Sequence, residues 1–266
     1  MRKLITTCVS AAVVLTTNSL AFDFGSTPDK ISAHYVAGVQ ALDAVKTKLT
    51  ANGFEILATT NILSGHDVIT ITNAELQATN TYMATLQVSV SGSEVRVQNP
   101  SYLGAAYLGD DYKYGQFKVT VESLEKALGS LSGSAQKTDF SDLSSYRFMF
   151  GMPKLKDTIT VKEGEGLAAK AKANTKKVAY TLTLPNGVTL VGHKLRGKTN
   201  KFLKKLSQEK NAQLLPYESM VYANAVQILD PKYYLALSLP LLSMGEFMEI
   251  ASVPDQIEKD IKRAYK

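Results

Sequence analysis

The chain has 266 residues, 45% of them hydrophobic and 20% charged, which is enough apolar residue for a sizeable core and too little charge for a disordered chain. Thirty Lys and Arg stand against 24 Asp and Glu, a formal net charge of +6. One Cys and three His exclude a disulfide scaffold, a zinc finger and an iron–sulfur protein by counting alone.

Residues 1–21 read as an export signal. Arg2 and Lys3 form a positive start, Leu4 to Leu15 a short apolar run, and Ser19-Leu20-Ala21 a small-residue cleavage site. The apolar run is shorter than the roughly 20 residues a membrane span needs. Cleavage after Ala21 would remove Cys8, excluding thiol chemistry, and would lower the net charge from +6 to +4 by loss of Arg2 and Lys3. The expected location is periplasmic or secreted. The most apolar later stretch, Leu235 to Ile250, is interrupted by Pro240, Gly245 and Glu246 and reads as buried core.

The remainder repeats itself. Val88–Leu108 laid on Ser219–Leu239 at an offset of 131 matches six of 21 positions: Val90/Val221, Val95/Val226, Pro100/Pro231, Tyr102/Tyr233, Ala105/Ala236 and Leu108/Leu239. Upstream the offset is 122, so the second copy holds about nine extra residues near Lys198–Lys210. The expectation is an α+β protein of two related units, each an antiparallel sheet with packed helices. Residues 22–128 form the first unit and 158–266 the second with a C-terminal helix. Residues 129–157 form a linker, in which eight of the 17 residues Gly129–Ser145 are Gly or Ser.

Within the first unit Leu42, Val45 and Leu49 share one helix face, and Asn52-Gly53 is a natural stop. Phe54–Ile62 and Val68–Ile71 read as strands. Met83–Val90 and Glu94–Gln98 read as a hairpin ended by Asn99-Pro100, with Leu86, Val88 and Val90 alternating against polar neighbours. In the second unit Met220–Tyr222 and Ala225–Leu229 repeat the hairpin, ended by Asp230-Pro231. A final helix begins near Pro254 and carries Ile257, Ile261 and Tyr265 on its buried stripe.

Leu214-Leu215-Pro216, Val221-Tyr222, Val226, Ile228 and Asp230-Pro231 together resemble the end of a small bacterial α+β domain, the domain-of-unknown-function family numbered 302. The resemblance is strongest over Thr158–Met244 and weaker over Ser32–Leu108, and suggests a divergent tandem pair. It implies a strand–helix–strands–helix–hairpin order and no assigned reaction. Many members carry Cys after the Leu-Pro where this chain has Tyr217, so any chemistry of that thiol is absent here.

Chemical motifs are sparse. Gly164-Glu165-Gly166-Leu167-Ala168-Ala169 fits a dinucleotide loop, but the following strands do not form a parallel βαβ unit and no acidic residue follows about 20 positions on. The histidines His34, His66 and His193 are unclustered; a metal site would need distant residues such as His66, Asp67 and His193 to converge. Gly129-Ser130-Leu131-Ser132-Gly133 has Leu at the centre where a nucleophile elbow has Ser. The basic run from Lys194 to Lys210 places Lys201, Lys204 and Lys205 on one helix side, with Phe202 and Leu206 on another.

The candidate ligand-binding residues are therefore Tyr102, Tyr233, Asp230, Lys201, Lys204 and Lys205. No catalytic residue, resident metal or cofactor is put forward. The expected function is a non-enzymatic envelope protein that binds a small ligand or a partner protein. The alternative is an enzyme or metal-dependent site built from convergent His, Asp and Tyr residues. An anionic lipid or polymer and a second copy of the chain are further candidate partners, and nucleic acid is not expected.

Overall fold

The computed structural model describes residues 24–266. The expected export signal lies outside the described residues. The fold is α+β with antiparallel sheets.

The first half runs from strand His34–Ala37 into helix Leu42–Ala51, which buries Val45 and Leu49 and ends at Asn52. Gly53 follows at φ 87°, a conformation open to a residue without Cβ. Strands Glu55–Leu63 and His66–Thr72 form a hairpin, and two short helical turns, Ala74–Gln77 and Tyr82–Ala84, lead to the hairpin Leu86–Ser91/Val95–Gln98. Asn99 then caps helix Pro100–Leu108, its side chain accepting the Ser101 N–H at 2.9 Å. Pro100 thus ends a strand and opens a helix, because the first helical N–H has no partner to lose.

The second half follows the same course. Strand Ile159–Glu163, helix Leu167–Ala173, hairpin Val178–Thr183/Thr189–His193, short helices Gly197–Asn200 and Phe202–Lys205, and hairpin Tyr217–Val221/Ala225–Ile228 precede helix Pro231–Ser238. Asp230 caps that helix as Asn99 caps its counterpart, accepting the Lys232 N–H at 2.8 Å. In the first sheet the order is Glu55–Leu63, His66–Thr72, Leu86–Ser91, Val95–Gln98, His34–Ala37, Ser132–Gly133. In the second it is Val178–Thr183, Thr189–His193, Tyr217–Val221, Ala225–Ile228, Ile159–Glu163. Apart from Ser132–Gly133 at the edge of the first sheet, the two sheets share one strand order.

The stretch expected as a linker pairs with the first half, partly in its main sheet and partly in a separate two-stranded one. Ser132–Gly133 pairs with His34–Ala37, and Lys137–Asp139 pairs with Lys30–Ser32. The cores interlock as well: Leu229, Tyr233 and Leu237 of the second half join the first core, while Ile62, Leu63 and Val68 of the first half join the second.

Both faces of the first sheet are covered. Ile69, Ile71, Leu86, Val88, Val95 and Val97 pack into the first core. The opposite face presents Thr70, Gln87, Ser89 and Gln98, all buried, against the second half. These polar groups are satisfied in place. Thr70 donates to Gln87 at 2.6 Å, the Gln87 N–H donates to Gln98 at 2.9 Å, and Arg96 donates to Asn211 at 2.8 Å. The chain closes with helix Val253–Lys262, which buries Ile257 and Ile261. Among the described residues no helix is long and apolar enough to cross a membrane.

Candidate functional site

Tyr102 and Tyr233 occupy the same position of the two helices that follow the hairpins, three residues past the capping Asn99 and Asp230. The fold brings them together in the first core, both essentially fully buried. They are not an exposed pair lining a groove, because each points inward from its helix.

Tyr102 donates to the Leu237 carbonyl at 2.7 Å, and Tyr146 donates to the Ala236 carbonyl at 2.9 Å. Carbonyls in the last turn of a helix lack intrahelical donors, so these two hydroxyls complete the end of helix Pro231–Ser238. The role of Tyr102 is therefore to join the halves. Burial pushes its hydroxyl well above the usual tyrosine range.

Tyr233 is placed differently. Its ring meets Tyr146 edge-on, with centroids 6.1 Å apart, and borders a cavity of about 350 Å³. Leu155, Lys154 and Lys156 supply the rest of the wall, with Ser144 and Ser145 at the edge. The Tyr233 hydroxyl is buried and has no hydrogen-bond partner. Burial first, and the neighbouring Tyr146 second, push it above the usual tyrosine range, while burial alone pushes Tyr146 up to about 12. Both rings are neutral at physiological pH, and the lysines carry the charge of the site. Among the described residues neither Lys154 nor Lys156 takes part in an ion pair. The Lys154 N–H donates to Asp157 at 2.9 Å, which holds the turn that carries both lysines.

The other candidates lie elsewhere. Half-buried Asp230 is a helix cap, its carboxyl raised mainly by burial. Lys201, Lys204 and Lys205 are exposed over buried Phe202, Leu203 and Leu206, and none of the three lines the Tyr233 cavity. The expected single basic helix is two short ones with Lys201 between them.

Tyr146, Lys154 and Lys156 fall inside the segment expected as a linker. The signal that marks them is Tyr146-Arg147-Phe148-Met149-Phe150, an aromatic cluster that a solvated linker has no reason to carry.

Two buried polar clusters hold groups of the kind that carry chemistry. His193 Nε2 lies 2.8 Å from Ser219 Oγ, which is 3.1 Å from the Tyr265 hydroxyl. This resembles a nucleophile and its base, but all three side chains are buried, and His193 Nδ1 has no partner to orient the ring. Burial drives His193 down to about 3, so it is neutral. His193 is accordingly not placed with His66, and among the described residues no group of three His, Cys, Asp or Glu could hold a metal.

The second cluster joins the sheets. Glu218 Oε1 accepts from Thr85 Oγ1, from the Tyr180 hydroxyl and, at 3.2 Å, from Gln87 Nε2. Gly192 makes this possible: a Cβ there would stand 2.1 Å from the Tyr180 ring, which lies flat across the strand to reach Glu218. Burial raises the Glu218 carboxyl to about 7 against the pull of its three donors.

The glycine-rich loop ends in the seven-residue helix Leu167–Ala173, and its strands are antiparallel, so the dinucleotide geometry is absent. In comparisons with family models, curated proteins and solved structures, nothing matches the chain.

Proposed function

We propose that this is a non-enzymatic binding protein of the bacterial cell envelope, which holds a small organic anion with a flat apolar body between residues 144–156 and helix Pro231–Ser238. One observation carries the reading: a cavity of about 350 Å³ combines the Tyr146 and Tyr233 rings, the Leu155 side chain and two lysines that, among the described residues, take part in no ion pair. That volume lies at the small end of ligand pockets, roughly 300–1,000 Å³. A flat ligand would lie against Tyr146 and Leu155, with Tyr233 behind them and the ligand's anionic group between Lys154 and Lys156.

The export reading of residues 1–21 supports the location, and a mass spectrum of the mature protein should begin at Phe22. The halves are proposed to descend from one duplicated unit; the shared strand order and the paired caps Asn99-Pro100 and Asp230-Pro231 support this. The resemblance to family 302 belongs to the same proposal and adds no activity. The enzymatic alternative would draw on His193, Ser219 and Tyr265, whose burial favours a packing role.

Calorimetric titration with aromatic and aliphatic carboxylates tests the site. Aromatic carboxylates should bind better, and Lys154→Ala with Lys156→Ala should weaken them roughly tenfold or more. Equal heats from the parent and the double variant across the series would refute the assignment.

A further inference from the structure

We propose that the protein docks on an anionic lipid surface through the turn Met149–Met152 and the neighbouring helix Met244–Glu249, with Lys201, Lys204 and Lys205 beside them. This proposal is independent of the Tyr233 cavity.

The turn is built to present one residue. Phe148 and Met152 on either side pack against the second core, and the Phe148 ring lies 5.0 Å from Phe247. The Met152 N–H donates to the Met149 carbonyl at 3.0 Å, and Gly151 at φ 81° closes the turn. Phe150 at its tip is 96% exposed, on an anchored segment. Helix Met244–Glu249 directs Phe247 into the core and leaves Met244 and Met248, one turn apart, on its outer side. Leu241 just before it is exposed as well.

Charge identifies the occupant. Lys205 donates to the Glu249 carbonyl at 2.6 Å, which seats the basic segment on the end of that helix. Arg147 flanks the turn in sequence. With Lys201, Lys204 and Lys205 it makes four cations on this side against Glu246 and Glu249, an excess of two. Glu246 is engaged with Ser243 in a capping box. Apolar side chains that protrude singly within a ring of cations suit a lipid interface, where the tip enters the headgroup layer and the cations meet its negative potential. A partner helix would need a groove, whereas Phe150 stands almost fully exposed at the tip of its turn.

The chain contains no tryptophan, so Phe150→Trp supplies a sole indole at the tip. With the full chain and vesicles of phosphatidylcholine mixed with phosphatidylglycerol, its emission should shift to the blue, and pure phosphatidylcholine should leave it unshifted. Flotation with the mixed vesicles should weaken roughly tenfold for Phe150→Asp and roughly a hundredfold at low salt for the combined Lys201→Glu, Lys204→Glu and Lys205→Glu. High salt should weaken the parent protein in the same direction. An unshifted indole, equal binding to neutral vesicles, or flotation unchanged by either variant would overturn the proposal. So would self-association lost on Phe150→Asp without vesicle binding, since a second copy would then be the occupant. Phe150 and the three lysines do not line the Tyr233 cavity, so ligand titration stands or falls separately.

Discussion

Replacing Glu218 by Gln should convert a pH-sensitive joint between the sheets into an insensitive one. The carboxyl lies between two sheets, and burial raises it from an ordinary 4.5 to about 7. Its folded pKa is above its unfolded one, so its contribution to stability is complete below about pH 4.5 and is lost as pH rises through 7. Each pH unit in that window costs about 1.4 kcal/mol, or ~3 kcal/mol across it. Glutamine keeps an oxygen to accept from Thr85, Tyr180 and Gln87 while removing the charge. Urea unfolding followed by far-ultraviolet circular dichroism from about pH 5 to about pH 9 measures the difference. The parent should lose ~3 kcal/mol relative to Glu218→Gln toward the alkaline end, with the slope of free energy against urea unchanged. Parallel pH curves for the two proteins would refute the reasoning, because Glu218 would then not titrate in that window.

Two further outcomes follow from buried contacts. Asp260, with its side chain 2% exposed, accepts from Arg196 Nε, from the Arg196 N–H at 3.1 Å and from Thr199 at 2.7 Å. Asp260→Ala should cost about 3 kcal/mol in urea unfolding, and a loss under about 1 kcal/mol would show the pair to be dispensable. Tyr102→Phe removes the donor to the Leu237 carbonyl and should cost about 1–2 kcal/mol, with faster hydrogen exchange in helix Pro231–Ser238 than in the remainder; unchanged exchange there would refute its role as the helix's closing contact.

The candidate site was less legible than the fold. Tyr102 and Tyr233 stood out through the repeat, but the match could not reveal that the two equivalent tyrosines meet in one core. Matching residues report local similarity, whereas the contact depends on how the second half of the chain packs on the first. Lys154 and Lys156 lie in the stretch 129–157 that reads as a linker on the Gly and Ser content of its first 17 residues. The aromatic cluster beside them was the contrary signal.

Local patterns determined the elements. Asn52-Gly53 stops a helix because glycine takes positive φ freely, and Pro100 and Pro231 open helices after Asn and Asp caps because the first turn needs no proline N–H. The alternation Leu86-Gln87-Val88-Ser89-Val90 likewise assigned one sheet face to the core. The fate of the other face lay beyond that pattern. Gln87 and Ser89 alternate with that face, yet the second half covers them, and Gln87 makes its hydrogen bonds to Thr70, Gln98 and Glu218 instead of water. A period of two residues states which side chains share a face; only the packing of two distant halves decides whether water or protein meets it.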